Sequence, residues 1–212
     1  VEAPNCIKPS NLNTSNVTND TVDLNWTVEP TATDGYEWVV MASGDAPDTG
    51  NAVVTNTVGN GVVNANNVTL PNPNTTYDAY VRSVCDANAS PAEVSDWSSV
   101  STFTTLCTPV SAPSWSQDFE NAGSIPDCWA QGMNNQKDWE FADTGSGHIG
   151  DFGTIGGNTA SDGYFAYLDD SSPDVIGTAL LSPLIDVSNL TIPQVNFYLL
   201  SNNEGNTNVD FS

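Results

Sequence analysis

The chain has 212 residues, room for two domains of about 100 residues each. With 38% hydrophobic and 9% aromatic residues it can fill packed cores. Its 26 Asp+Glu against 3 Lys+Arg give a net charge of −23, a field that repels nucleic acid and anionic membranes, excludes both as partners, and attracts divalent cations.

In chain order, apolar or alternating runs rich in β-formers occupy Thr21–Trp26, Tyr36–Met41, Ala52–Val58, Asn67–Leu70, Tyr77–Val84 and Val100–Thr105. Gly, Pro, Asn and Asp separate them. Short strands at this spacing, with no helical period, predict an all-β antiparallel sandwich over the first half of the chain. The run Leu70-Pro71-Asn72-Pro73-Asn74-Thr75-Thr76-Tyr77 is a strand end, a turn and a tyrosine opening the next strand. From there Tyr77, Ala79 and Val81 face one side, and Asp78, Tyr80 and Arg82 the other. A tyrosine so placed can bury its ring and hydrogen-bond its hydroxyl back to the turn, as in the tyrosine corner of Greek-key sandwiches.

No stretch approaches the ~20 apolar residues that span a bilayer, so membrane insertion is not expected. Nor does a basic-then-apolar leader open the sequence at Val1, so an export signal is expected to have been removed. The four cysteines, in so Lys-poor and Asn/Thr-rich a chain, point to disulfides and an oxidising compartment rather than to buried thiols. Cys6, Cys85, Cys107 and Cys128 make no C-x-x-C pair and the one histidine is His148, which excludes a structural zinc site. Only Lys8, Arg82 and Lys137 offer trypsin-like cleavage points, in keeping with life outside the cell. Eight N-x-S/T sequons run from Asn13 to Asn189, many by chance in an Asn-rich chain.

From Cys6 to Leu106 the chain resembles a fibronectin type III domain. The matching residues are Pro9 and Leu12, then Val22-Asp23-Leu24-Asn25-Trp26, Pro73-x-Thr75-x-Tyr77 and Phe103-Thr104-Thr105. The resemblance implies that Trp26 is the core tryptophan between two sheets. It also implies that Cys6 lies near Cys85 and pairs with it. No Arg-Gly-Asp adhesion loop occurs.

After a connector at Thr108–Pro113, a second set of motifs follows. They are Asp118-Phe119-Glu120, Cys128-Trp129, Asp138-Trp139, Gly163-Tyr164-Phe165-Ala166-Tyr167-Leu168, Leu181-Ser182-Pro183 and Val195-Asn196-Phe197-Tyr198-Leu199. Their order resembles a MAM-type jelly roll, close to the cleaved-adhesin modules of large secreted Bacteroidetes proteins. The expected architecture is a fibronectin type III Greek-key sandwich over residues 1–106 and a partial jelly-roll β-sandwich over residues 107–212. Cys107 and Cys128 flank the Asp118-Phe119-Glu120 strand that the family pattern implies and make a plausible second staple. A full module of that family continues with several more strands, so the resemblance implies a longer polypeptide beyond Ser212.

Candidate chemistry is sparse. Asp118 and Glu120, two apart on an expected strand, would present both carboxylates on one face. Two hard oxygens are part of a Ca²⁺ shell, which Asp151, Asn158 or backbone carbonyls of the Gly-rich stretch Thr144–Gly163 could complete. Resemblance favours Glu120 and Asp151 for a structural ion; the alternative is a solvated acidic face. His148 reads as a loop histidine, without a partner for nucleophilic catalysis. An acidic pair for glycoside hydrolysis lacks a cleft context. Trp38 and Trp97 are the aromatics least tied to core positions and could stack on a glycan. Asp20-Thr21-Val22 resembles the O-glycosylation signal of exported Bacteroidetes proteins. The expected role is non-catalytic adhesion or spacing within a large surface protein exported by the type IX secretion system. Its implied partners are other modules of the same polypeptide, surface glycans and, transiently, the secretion machinery. The alternative is an accessory region of a secreted protease or polysaccharide-degrading enzyme whose catalytic domain lies elsewhere.

Overall fold

The computed structural model describes residues 6–111, 115–132, 137–142, 164–168 and 178–197. The chain divides into two compact units, Val1–Thr108 and Pro109–Ser212. All regular structure among the described residues is β.

Unit 1 contains β1 (Ser10–Ser15), β2 (Thr21–Thr27), β3 (Gly35–Ala42), β4 (Val54–Val58), β5 (Asn64–Thr69), β6 (Thr76–Asp86), β7 (Glu93–Val94) and β8 (Ser101–Thr104). They form two sheets: β1-β2-β5, and β4-β3-β6-β7 with β8 also on β6. Every pairing in the unit is antiparallel. The inward faces meet in one core, with Val22, Leu24, Trp26, Ala65 and Val68 from the smaller sheet. Tyr36, Trp38, Val40, Tyr77, Ala79, Val81 and Phe103 fill it from the larger. Alternation in β2 is the direct cause: Val22, Leu24 and Trp26 are buried while the residues between them are half-exposed. Trp26 meets Tyr36 edge-on at a centroid separation of 5.5 Å, the favoured arrangement for two aromatic quadrupoles. Removing a ring of this size from such a core costs about 3–5 kcal/mol.

The tyrosine corner forms. Tyr77 is buried, and its hydroxyl donates to the Asn72 carbonyl at 3.5 Å. Thr105 donates its own hydroxyl to the same carbonyl at 2.9 Å and accepts the Thr75 N–H at 3.0 Å. Turn and last strand are thus tied to one acceptor. The Cys6–Cys85 disulfide closes across a sequence separation of 79. By chain-entropy reasoning a loop of that length contributes about 4 kcal/mol through the unfolded state.

Three expectations change. The predicted run Asn67–Leu70 begins earlier, at Asn64, because Asn67 sits at φ 53° in an irregularity of the β2–β5 register and masks the alternation. Asp78, placed on the outward face of its strand, is buried; it accepts the Gly44 N–H at 2.7 Å and the Thr102 hydroxyl at 2.5 Å. Val39 and Met41 are buried on that same side, which leaves Glu37 as the one polar side chain on the outer face of β3. Finally, β7 had no apolar run to announce it.

Unit 2 shows β9 (Val110–Ser111), β10 (Ala130–Gln131), β11 (Glu140–Ala142), β12 (Phe165–Tyr167), β13 (Leu180–Leu181) and β14 (Ile185–Asp186). They pair β10 with β13 and β11 with β12 antiparallel, and β14 with β9 parallel. The stretch read as a connector therefore supplies a strand, β9. Residues 115–120, expected as a strand, form none. Phe119 lies at φ 63°, outside the strand region, and leaves the ladder. Trp115 and Phe119 still turn inward onto Trp129, at 6.0 and 5.2 Å.

Gly35 allows β3 to start where it does. Its φ is +108°, and a Cβ there would lie 2.0 Å from the Val58 carbonyl oxygen at the end of β4. Gly35→Ala is expected to cost about 2–3 kcal/mol in urea unfolding and to loosen the β3–β4 ladder in amide exchange. A change within measurement error would contradict this packing.

Candidate binding site

The residues singled out by sequence scatter. Trp26 and Tyr77 are core residues. Trp38 is also buried, 5% exposed, in the middle of β3, and cannot offer a ring face for sugar stacking. Trp97 is half-buried on the outer side of the larger sheet. The Arg82 guanidinium lies 4.5 Å from its ring centroid, and Arg82 in turn grips Glu37 through Nε at 2.6 Å and a terminal nitrogen at 2.5 Å. One face of Trp97 is thereby occupied by a cation, which leaves at most the other for a ligand.

Asp118 and Glu120 are both exposed, while Trp115 and Phe119 are half-buried. The Asp118 carboxylate accepts the Glu120 N–H at 3.2 Å. Among the described residues no group of three or more His, Cys, Asp or Glu side chains could hold a metal ion. The pair alone does not make the 6–8 oxygen shell Ca²⁺ requires. Asp151, Asn158 and His148 lie outside the described residues. Cys107 and Cys128 are both disulfide-bonded.

What sequence reading did not find is a cleft. On one side of unit 1 the edge strands β4 and β5 run beside each other, and between them opens a space of about 490 Å³. Its apolar wall is Trp38, Val54, Val58, Ala65 and Val68; its polar rim is Asn56, Asn64, Asn66, Asn67 and Thr69. No charged side chain lines it, in a chain of net charge −23. The indole nitrogen of Trp38 is buried without a hydrogen-bond partner, as are those of Trp26, Trp129 and Trp139. The only signals in sequence were the β-branched run at Val53–Thr57 and the asparagine density; neither says that two strand edges face each other.

The outward face of the smaller sheet is also mostly neutral. Asn13, Asn25 and Asn64 stand opposite one another across its three strands. Asp23 is the exception. Its carboxyl is held below the ordinary carboxylate range first by the Asn16 side-chain amide, at 2.7 Å, and then by the Asn67 N–H, also at 2.7 Å, against a small opposing effect of burial. Asp23 thus fixes the backbone irregularity in β5 that borders the cleft. On the larger sheet, burial and then the negative charge of Asp78 push the Tyr80 hydroxyl up.

No profile of a known protein family matches the chain, and no curated protein does. Among solved structures it is similar to a human collagen XX FN3 domain (crystal structure), with 21% identity over 50% of this chain and 98% of that one, TM-score 0.37. A solution structure of the fn3 domain of the human collagen α-1(XX) chain matches at 23% identity over 54% and 96%, TM-score 0.38. A computationally redesigned β-sandwich protein matches at 22% identity over 47% and 94%, TM-score 0.35. Unit 1, by its own strand order and core, is a fibronectin type III-like β-sandwich.

Two outcomes check the electrostatics. Asp23→Asn is expected to destabilise the protein at neutral pH. A lowered carboxyl pKa contributes stability above its unfolded value and loses it as pH falls through the folded one, so the gap to the parent protein should close in acid. A pH-independent gap would contradict the assignment. Trp97→Ala is expected to cost about 0.5–1 kcal/mol in denaturant unfolding; a loss of about 3 kcal/mol or more would place Trp97 in a core.

Proposed function

We propose that this chain is a non-catalytic stretch of a large exported surface polypeptide, serving adhesion, spacing or display. The observation that carries the reading is the fate of the reactive groups in unit 1. Its one arginine is locked between Glu37 and Trp97, its Cys6 and Cys85 are oxidised, and its buried Asp78 is spent on Gly44 and Thr102. A disulfide-stapled sandwich of this type suits an oxidising, extracellular setting.

The finer reading extends the motif order of the second half. Residues 107–212 are taken as part of a MAM-like jelly roll of a Bacteroidetes protein exported through the type IX route, engaging the secretion machinery transiently and other modules of its own polypeptide thereafter. A structural Ca²⁺ on unit 2, with Asp118, Glu120, Asp151 and Asn158 as its ligands, belongs to this proposal. The competing reading, an accessory region of a secreted hydrolase, predicts binding to that enzyme's polymer substrate.

The purified chain is expected to turn over no chromogenic glycoside, ester or peptide substrate; activity that co-purifies with the protein and survives a second column would overturn the reading. Beads coated with the chain are expected to be retained on glycan- or protein-coated surfaces above bare beads, and equal retention would leave spacing as the role. EDTA should lower the melting midpoint of unit 2, and an unchanged midpoint would remove the ion.

A further inference from the structure

A β-sheet edge is a row of backbone donors and acceptors, and proteins usually blunt it with charges, proline or bulges. Unit 1 treats its edges unequally. Beyond β6, the segment leading to β8 is tied down by two serines: Ser83 N–H donates to Ser95 Oγ at 2.9 Å and Val81 N–H to Ser98 Oγ at 3.1 Å. The β1 edge carries a register shift between Ser10 and Asn13. The β5 edge is broken at Asn67, with φ 53° and its N–H turned back to Asp23.

Between Val54 and Val58 the β4 edge has none of these devices; its one irregularity lies just before, where the Val53 N–H donates to the carbonyl of Val40, the partner of Val54. It pairs with β3 in unbroken register from Val54 to Val58. No described strand covers its other side. Its sequence, Val54-Thr55-Asn56-Thr57-Val58, is rich in β-formers and lacks charge and proline. Its Thr57 N–H is not used in the ladder; it donates to the neighbouring Asn56 side-chain oxygen at 2.8 Å. Asn56 thus occupies the position that a carbonyl of an incoming strand would take. Beside this edge lies the neutral cleft with its apolar wall and the unpartnered Trp38 donor.

We propose that the free edge of β4, with the cleft between β4 and β5, accepts an extended segment of a basic partner polypeptide as an added strand. The inference rests on the reading of the chain as a binding module and names its partner chemistry. Main-chain hydrogen bonds to β4 supply affinity, and alternate side chains supply selectivity. Apolar residues of the segment enter between Val54, Val58, Ala65 and Val68, and the intervening residues face solvent. Charge selects the occupant. A second copy of this chain would bring another −23 against the first, whereas a segment with lysines at its solvent-facing positions is drawn in by the field.

The test uses the full chain labelled with nitrogen-15 and, as probe, an acetylated octapeptide of alternating valine and lysine at physiological salt. A peptide of the same composition with its valines and lysines in two blocks serves as the charge control, and cellohexaose as the neutral sugar. The alternating peptide is expected to shift amides at Val54–Val58 and Asn64–Thr69 saturably and to slow exchange of the Thr57 amide. Thr57→Pro removes a donor that the β3–β4 ladder does not use, and proline is tolerated on edge strands. It should weaken binding at least about tenfold, as should Asn56→Lys, which puts a cation in the cleft mouth. The second variant answers the objection that proline disturbs β4. Equal shifts from the block peptide, shifts spread over the acidic surface, no shifts at millimolar peptide, or cellohexaose moving the same amides would each overturn the proposal. Bead retention in the adhesion assay is read separately, so failure of strand addition and failure of the adhesion reading give different results.

Discussion

The structure of unit 1 depends on burying two inward sheet faces against each other. The three-stranded sheet has a mostly polar outer face and no second core, and small isolated sheets are marginal in water; the larger sheet also buries Val39 and Met41 on its outer side. Trp26 and Tyr36 pack edge-on across that layer, in one core with Val22, Leu24, Val40 and Val81. Strand β6 carries a restraint near each end. Tyr77 and Thr105 converge on one carbonyl at its start, and Cys6 bonds Cys85 near its finish. The first acts on the native state by satisfying a buried acceptor, the second on the unfolded chain by shortening its loops.

Edges follow from the same arrangement. A sandwich that does not close on itself leaves four of them, and the sequence spends different chemistry on each. Serine hydroxyls substitute for a strand's carbonyls beside β6, and left-handed asparagines interrupt β1 and β5. At β4 the only cover is a local one, Asn56 over Thr57. A side chain that reaches one residue forward is easily displaced, because a partner's carbonyl restores the same hydrogen bond. Such an edge remains competent to pair.

Charge is distributed to match. Arg82 is used structurally, shared between Glu37 and Trp97. The excess of carboxylates gives the chain a net negative field, while the cleft is lined by neutral residues, asparagine and threonine among them. Long-range attraction and short-range fit are thus separated, which lets the first govern encounter and the second govern what stays bound.

Much of unit 1 was legible from local pattern. Alternation in Val22-Asp23-Leu24-Asn25-Trp26 marked a half-buried strand, Pro-Asn punctuation before Tyr77 marked a corner, and the resemblance carried by those residues implied the Cys6–Cys85 bond. Misreadings occurred where distant chain overrides the period: Asp78 is buried because Gly44 and Thr102 satisfy it. Phe119 leaves the strand region although its neighbours alternate correctly. Trp38 reads as a surface aromatic but fills a core. The sequence by itself determined which side chains must be hidden and where the chain must turn, because those are set by hydrophobicity and by φ preference within a few residues. Only the tertiary structure decided which strand edges stay open and that β4 and β5 face each other across a cleft, because edge exposure depends on sheet order, a property of pairings between residues far apart in the chain.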